Sequence, residues 1–278
     1  RYPVPWSGDN GTNYENMLAS LRGGLSLGMS GFTYWSQDTG GFGGSHPDED
    51  LYLRWTQLSI FQSHIRFHSP LPAFNEPWNY SKRTQDLVRP IFELRYRLIP
   101  YLYSESALAA RQGLPLMRPL ILEFFDDPNV YGLEDQFMCG RNLLVAPIME
   151  PHPRRRVYLP EGTWYEFHTG ERLEGPQWVE REWPIETFPL FVRAGTVLPL
   201  APVVQHTGEL SYDRFTLNAY PQEGVASIEI EAPDEGQLRF EVRESDGGVS
   251  VRTSRKFEEI TVELPGGKAA SIEKLDAE

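Results

Sequence analysis

The stretch WSGDN near the start of the chain carries the first side chains with spacing suited to acid–base chemistry. Asp9 lies in a glycine-flanked turn, three residues after Trp6. A carboxylate beside an indole ring loses water, which raises its pKa and lets it hold a proton near neutral pH. Asp9 is therefore a candidate general acid. An Asx turn or a helix N-cap is the alternative explanation for such an aspartate.

Two later stretches carry polar groups at the ends of apolar segments. Asp38 lies in SQDTGG, and Arg66 and His68 lie in HIRFHS. Since one residue separates Arg66 from His68, both side chains point to the same side of an extended strand and could reach one ligand. A turn aspartate and a hydrogen-bonded core histidine are the alternatives here. Carboxylates, aromatic rings, an arginine and a histidine together suit a sugar, so residue chemistry alone indicates a candidate carbohydrate enzyme.

Other kinds of chemistry find no support in the sequence. The six histidines do not indicate a zinc site, and GGFGG lacks the Lys-Ser/Thr pair that completes a phosphate-binding loop. The one G-x-S-x-G match, GLSLG at residues 24–28, follows a predicted helix and not the strand that this motif requires, and Cys139, the single cysteine, has no context typical of a nucleophile. We therefore expect neither serine nor cysteine catalysis, and no metal or cofactor.

Composition restricts the partners and the compartment. With 278 residues, 40% of them hydrophobic and 13% aromatic, the chain can bury the core of more than one domain. A net charge of −13 argues against a nucleic-acid partner, because phosphate contacts need a basic surface. No run of eighteen apolar residues exists, so no membrane span is expected. A single cysteine excludes an internal disulfide and fits a reducing compartment, so we expect a cytoplasmic protein.

Helical and strand-like patterns alternate in the first third of the chain. Apolar residues at helical spacing follow Asn13, a suitable N-cap, and Gly23-Gly24 is predicted to end that helix. A second helix follows the acidic residues 48–50. A long helical pattern extends over about 84–112 to Gly113, and Pro90 and Pro100 are expected to start, kink or break it. SGFTYW and HIRFHS, between the helices, predict strands.

This alternation predicts a parallel sheet covered by helices, with the active site on the loops after the strands, where Asp9, Asp38 and His68 lie. Beyond Gly113, short apolar runs separated by Pro and Gly predict antiparallel β-structure, and cleaner alternation begins at about Val203. The predicted fold class is α/β followed by all-β. The predicted domains are 1–113, part of a barrel, 114–202, a β-sandwich, and 203–278, a smaller β-domain. We expect the last thirteen residues to fray.

Several motifs resemble glycoside hydrolase family 31, a family of retaining α-glucosidases and α-xylosidases. They are WSGDN, LRGGLSLGMSGFTYWSQDTGGF, SHIRFHS, LRYRLIPYLYSESALAARQGLPLMRPL, NLLVAPI and YLPEGTWYEF. The resemblance covers about residues 1–200, with the motifs in the order and spacing of the family. It implies the C-terminal part of a (β/α)8 barrel, followed by proximal and distal β-domains.

The resemblance also implies roles for individual residues. The acid/base aspartate of the W-x-G-D motif corresponds to Asp9. The family's D-I-G-G-F segment begins here at Asp38, with Thr39 in place of isoleucine, and His68 closes the R-x-H motif that contacts sugar hydroxyls. The residues expected to bind substrate are Trp6, Trp35, Asp38, Phe42, Arg66 and His68.

The family's nucleophile, an aspartate after the fourth barrel strand, would lie before Arg1. The expected partners are therefore an N-terminal portion of the same enzyme that carries the nucleophile, and an oligosaccharide or small α-glycoside. A homo-oligomer is left open. The expected reaction is retaining hydrolysis of terminal non-reducing α-glycosides. The passage from SHIRFHSP to PAFNEPWNY favours α-xylosidase, with α-glucosidase as the alternative and a non-catalytic, sugar-binding remnant as the second alternative.

Overall fold

Helices dominate the first 123 residues of the chain. The structure, a computed structural model, describes residues 4–70 and 74–277. None of the helices in these two ranges is long and apolar enough to cross a membrane. The α-helices are α1 (Tyr14–Met29), α2 (Glu49–Ser59), α3 (Lys82–Arg97), α4 (Ile99–Gln112) and α5 (Leu120–Glu123), and short 3₁₀ helices span Pro77–Asn79, Pro128–Val130 and Thr207–Glu209.

Helix α1 begins where the sequence predicts and ends later. The Asn13 side chain accepts a hydrogen bond from the Asn16 amide at 2.8 Å, which confirms the predicted N-cap. The predicted stop at Gly23-Gly24 is wrong, because α1 continues to Met29. Gly24 instead permits a close approach. A Cβ atom at this position would lie 1.9 Å from a ring carbon of Trp35, so only glycine leaves room for the indole.

The other helix limits follow from capping and from proline. Asp48 caps α2 by accepting from the Leu51 amide at 2.8 Å. The break predicted at proline in the helical pattern over about 84–112 is confirmed at Pro100, which lacks an amide hydrogen: α3 ends and α4 begins around Leu98, whereas Pro90 lies inside α3. Gly113 ends α4 in the left-handed region, with φ of 70°, as predicted.

The strands expected at SGFTYW and HIRFHS are not formed, and this prediction is wrong. In their place are three isolated parallel pairings, Trp6 with Ser36, Gly11 with Gly43, and Asp38 with Arg66. Each pairing involves a single residue on either side, so the ladder of hydrogen bonds that defines a strand does not develop. The segments still lie side by side and run in the same direction.

Six antiparallel strands form the first sheet, in the order β1–β2–β3–β6–β4–β5. Side chains on its two faces enter two cores. Leu143 and Val145 pack in the core shared with the helices, whereas Leu144 packs with Trp164 and Phe191 on the other face. The strands are β1 (Met117–Pro119), β2 (Phe137–Cys139), β3 (Leu143–Val145), β4 (Arg154–Glu166), β5 (Arg172–Glu182) and β6 (Leu190–Arg193).

Eight strands form the second sheet, in the order β13–β12–β8–β7–β9–β10–β11–β14. The sheet is mixed, because β8 pairs with β12, and β11 with β14, in parallel. The strands are β7 (Thr196–Leu200), β8 (Arg214–Tyr220), β9 (Val225–Ala232), β10 (Gly236–Glu244), β11 (Val249–Thr253), β12 (Glu259–Leu264), β13 (Lys268–Ala270) and β14 (Ile272–Ala277).

Two features of this sheet differ from expectation. The predicted β-sandwich over residues 114–202 includes β7, yet β7 pairs with β8 over five residues in the second sheet. The domain boundary after residue 202 stays a prediction. The C-terminal tail does not fray over residues 268–277, because β13 pairs with β12 and β14 pairs with β11.

Arg54 joins helix α2 to the first β-domain. Its guanidinium donates to the backbone carbonyls of Trp183 at 2.9 Å and Thr187 at 3.0 Å, and Gln57 donates to the Ile185 carbonyl at 2.7 Å. Burial lowers the pKa of Arg54 from its usual value. The turn at residues 183–187 is thus fixed to the barrel part of the chain by buried hydrogen bonds.

The two adjacent glycines of α1 should respond oppositely to substitution by alanine. Gly24→Ala places a methyl group inside the Trp35 ring and should cost about 1–3 kcal/mol of unfolding free energy. Gly23→Ala is the matched control, since a Cβ there meets nothing within 4 Å, and its better helix propensity should add about 0.5–1 kcal/mol. Denaturant unfolding measures both, and equal effects would contradict the packing of Trp35 on Gly24.

Candidate active site

Three irregular segments meet where the sequence predicts barrel loops. The Ser7 amide donates to the Ser36 carbonyl at 3.0 Å, and the Ser36 amide donates to the Pro5 carbonyl at 3.1 Å. On the other side, the Thr39 amide donates to the Arg66 carbonyl at 3.0 Å. The middle segment therefore lies between the other two, and the residues that follow these contacts face one region.

The carboxylate of Asp38 is the centre of this region. Its Oδ1 atom accepts from Arg66 Nε at 2.6 Å and from Trp6 Nε1 at 3.1 Å. The Arg66 guanidinium also lies over the Trp6 ring, 4.2 Å from the ring centroid. The Asp38 side chain is 3% exposed and that of Arg66 is 49% exposed, so a buried anion meets a cation that remains accessible. One predicted residue from each segment takes part.

Phe42 and His68 form a second contact in the same region. Their ring centroids are 5.3 Å apart, with the rings tilted by 39°. His68 and Arg66 are both exposed, while Phe67 between them is partly buried. Arg66 and His68 therefore share a face, as their spacing predicts. The structure thus provides an aromatic surface beside hydrogen-bonding groups.

Asp9 lies next to this group and is exposed to solvent. Within residues 4–70 and 74–277 its carboxylate has no hydrogen-bond or ion-pair partner. The expectation that the Trp6 indole removes water from Asp9 is not met in the described residues, because Asp9 is exposed. The indole N–H bonds to Asp38. The neighbouring Asn10 carbonyl accepts from the Phe42 and Gly43 amides, each at 2.9 Å, which holds the Asp9 turn against the Phe42 loop.

Trp35 is not part of this group. Its side chain is buried against helix α1 at Gly24. Its indole nitrogen is buried and has no hydrogen-bond partner in the described part of the chain. Trp35 is therefore a buried residue of the described structure, and its contact with substrate stays a prediction.

The loop from Asp38 to Gly43 is held tightly from both sides. Gly41 adopts φ of 85°, and a Cβ atom there would lie 3.0 Å from the Thr12 Cα atom, so glycine is required at this crossing. On the other side, buried Asn75 donates to the Gly41 carbonyl at 2.7 Å and to the Thr39 carbonyl at 3.3 Å. Sequence analysis missed Asn75, because nothing in its spacing marks it.

Arg95 is a second supporting residue that sequence analysis missed. It donates to the carbonyls of Ile60 at 2.6 Å, Gln62 at 2.7 Å and Ser63 at 3.0 Å, just before the segment that carries Arg66. Burial lowers the pKa of Arg95 to about 10, so the cation persists at neutral pH. The sequence did contain a signal for it, because Arg95 lies four residues after Ile91 on the apolar side of its helix, where a charged side chain must be hydrogen-bonded.

The histidines of this region do not converge on a metal. His64 and His68 are four residues apart, a spacing that brings two rings together on a helix. Their segment is extended, which separates them along the chain. In the described ranges no group of three or more His, Cys, Asp or Glu side chains could hold a metal ion.

Comparison with protein families identifies the fold. Residues 1–105 match the model of the glycosyl hydrolases family 31 TIM-barrel domain, and residues 113–198 match that of the glycosyl hydrolase family 31 C-terminal domain. The two matches follow one another in the order that the motifs predict. The chain belongs to glycoside hydrolase family 31. Its first 105 residues are therefore part of a barrel, although neighbouring segments in this part pair through isolated single residues and form no continuous strands.

Curated relatives of this family 31 chain include two different activities. An α-xylosidase of Saccharolobus solfataricus is 37% identical over 224 residues, which cover 78% of this chain and 30% of the relative. Alpha-glucosidase 2 of Bacillus thermoamyloliquefaciens is 36% identical over 239 residues, 85% of this chain and 30% of the relative. The family 31 chain thus spans about a third of the length of these relatives.

Solved structures are similar over nearly the whole family 31 chain. A family 31 α-xylosidase of Xanthomonas citri has a TM-score of 0.80 and 29% identity, and the match covers 95% of this chain and 32% of that one. A family 31 dextranase of Flavobacterium johnsoniae complexed with glucose has a TM-score of 0.82 and 29% identity over 93% of this chain and 36% of that one. Both β-domains therefore lie within the similar region.

Asp38→Asn in this family 31 chain should cost about 1 kcal/mol of unfolding free energy. Asparagine keeps an oxygen for Arg66 and Trp6 but exchanges a charge-assisted hydrogen bond for a neutral one. Asp86→Asn is the control, because Asp86 pairs with Lys82 on the exposed surface of α3 and should matter by less than about 0.5 kcal/mol. Denaturant titration measures the unfolding free energy of both variants. Equal losses would show that the Asp38–Arg66 pair contributes no more than a surface ion pair.

Proposed function

We propose that the protein to which this chain belongs hydrolyses terminal, non-reducing α-linked glycosides with retention of configuration. The observation that carries the proposal is the convergence of Trp6 and Arg66 on the buried Asp38 carboxylate, in a chain of glycoside hydrolase family 31. That convergence places an indole, a guanidinium and a carboxylate beside the Phe42–His68 pair. Aromatic faces and charged hydrogen-bonding groups in one region suit a pyranose ring.

In this proposal Asp9 is the general acid and then the general base. It protonates the oxygen of the leaving group, and later removes a proton from the water that attacks the glycosyl intermediate. Exposure of Asp9 is compatible with this role, since a proton donor must reach both the glycosidic oxygen and water. Asp38, Arg66 and His68 bind hydroxyl groups of the sugar, and Trp6 and Phe42 contact its apolar surface.

The nucleophile is proposed to lie in an N-terminal portion of the same enzyme. The chain spans about 30% of the length of its curated relatives, and it carries no aspartate with the motif of a family nucleophile. In a retaining enzyme the two carboxyl groups lie about 5–5.5 Å apart. Asp9 is exposed, which is compatible with a second carboxylate approaching it from another part of the enzyme.

We infer that α-xylosides are preferred. The support is the resemblance around HIRFHS and PAFNEPWNY to α-xylosidases, together with 40% identity over 210 residues to an α-xylosidase of Emericella nidulans. An α-glucosidase is the second candidate, since a relative with that name is nearly as similar. A remnant that binds sugar without catalysis is a third candidate.

The intact protein should cleave p-nitrophenyl α-xyloside with a higher kcat/KM than the matching α-glucoside. The two sugars differ by one hydroxymethyl group, and a pocket that closes over C5 excludes it sterically. If the site is instead built to hydrogen-bond that hydroxyl, its loss can cost about 10⁴-fold, so the two cases are easily separated. Steady-state kinetics on both glycosides decide the matter.

A preference for the glucoside would support the α-glucosidase alternative and leave the reaction class standing. Activity on neither glycoside, combined with sugar binding by calorimetry, would support the non-catalytic alternative. Activity on neither, without binding, would contradict all three candidates and point to an α-galactoside or another α-glycoside as the substrate.

Asp9→Asn in the intact enzyme should lower kcat on an oligosaccharide by about 10²–10⁴-fold, because the amide cannot donate a proton as an acid does. An activated aryl glycoside needs little protonation of its leaving group, so its glycosylation step should be relatively spared. Pre-steady-state kinetics on the two substrates measure the difference. Asp126→Asn, which changes an exposed carboxylate in the first β-domain, is the control and should leave both rates unchanged.

Equal losses on both substrates would remove Asp9 from the acid role. Proton NMR of the first-formed product tests the stereochemistry in the same experiment. An α-configured product agrees with a retaining mechanism, whereas a β-configured product contradicts it.

A further inference from the structure

Asn75 makes contacts that its place in an irregular loop does not suggest. The side chain is 2% exposed, and its amide nitrogen donates to two backbone carbonyls, those of Thr39 and Gly41. These carbonyls flank Gly40, so one side chain bridges both ends of the tight turn. Asn75 contributes no group to the surface formed by Asp38, Phe42, Arg66 and His68, and lies beneath it.

The contacts require an amide in one orientation. Both partners are carbonyl oxygens, which only accept hydrogen bonds, so the NH₂ group must face them and Oδ1 must face away. Oδ1 is buried and has no partner within residues 4–70 and 74–277, as is also the case for the Tyr52 and Tyr80 hydroxyls nearby. The two hydrogen bonds of the NH₂ group are therefore the contacts by which this amide holds the turn.

The turn that Asn75 holds determines where two sugar-facing side chains lie. Asp38 directly precedes the turn and Phe42 follows it. The backbone is fixed on either side, because the Phe42 amide donates to the Asn10 carbonyl and the Thr39 amide donates to the Arg66 carbonyl. Between these two points, the carbonyls of Thr39 and Gly41 accept hydrogen bonds from Asn75. Movement of the turn would therefore move the Asp38 carboxylate relative to Trp6 and Arg66.

We propose that Asn75 is a positioning residue for glycoside binding and hydrolysis, acting through the turn at Gly40 on Asp38 and Phe42. The proposal rests on the proposed function for its effect on activity. Its structural content, that Asn75 sets the position of Asp38, stands independently. Misplacement of binding groups by about 1 Å can reduce catalysis by about 10²-fold, even when the altered residue does not touch substrate.

Asn75→Asp tests the proposal in the intact protein with almost no change in shape. A carboxylate in front of two carbonyl oxygens removes both donors and adds repulsion. We expect kcat/KM for the preferred p-nitrophenyl glycoside to fall by about 10–10²-fold, with a raised KM. A merely structural role would reduce the amount of folded enzyme and leave KM unchanged. Asn75→Ser, which is uncharged and keeps one donor, should give a smaller loss.

Gln136→Glu is the matched control. Gln136 is also a buried amide, and it donates to the Tyr158 carbonyl at 2.7 Å and accepts from the Tyr158 amide at 3.0 Å, in the first β-domain. The change is chemically the same and lies away from the candidate active site. It should lower stability and leave KM unchanged. Equal KM values for Asn75→Asp and the unaltered protein would overturn the proposal.

A second measurement separates this inference from the proposed function. The Trp6 indole N–H donates to Asp38, so its ¹H–¹⁵N resonance, assigned with Trp6→Phe, reports the position of that carboxylate. The resonance should shift in Asn75→Asp or Asn75→Ser and stay in place in Gln136→Glu. An unmoved resonance would overturn the proposal whether or not the protein is a glycosidase. Absence of glycosidase activity, with a shifted resonance, would contradict the proposed function alone.

Discussion

The candidate active site is organised around the buried carboxylate of Asp38, which needs hydrogen-bond donors. Asp38 is almost without solvent, so its charge must be balanced by protein groups, and Arg66 and Trp6 supply the donors from two other segments. Because those donors lie far apart in sequence, the carboxylate ties three segments together. The guanidinium, stacked on the indole, is held in one orientation and keeps an exposed side for a ligand.

Side chains replace the ladder of a regular sheet in this region. The three segments share few backbone hydrogen bonds, yet their buried carbonyls still need donors. Arg95 donates three hydrogen bonds to backbone carbonyls, and Asn75 donates two. The Ser36 hydroxyl donates to the His64 carbonyl at 2.5 Å. The backbone is thus held in an irregular path that a strand would not allow, and it turns Asp38, Phe42 and His68 toward one region.

Local signals predicted the helices well and the close approaches poorly. Asn13, Asp48 and Gly113 act within one turn of their position, so their capping roles are visible in sequence. The role of Gly24 depends on a tryptophan eleven residues away, which no local pattern contains. Similarly, the parallel segments could be placed side by side from their order, whereas the extent of their pairing depends on contacts from elsewhere in the fold.

The site residues show the same division. Motifs marked Trp6, Asp38, Phe42, Arg66 and His68, which lie together in the structure, although their contacts with a ligand stay predictions. Trp35 lies buried against Gly24 of helix α1, a contact that the motif containing it does not show.

The hydrogen bonds from Arg54 to the turn at residues 183–187 have a consequence for the exchange of domains between proteins. A substitute β-domain would need backbone carbonyls in the positions of residues 183 and 187, because without them the buried Arg54 guanidinium would lose its acceptors.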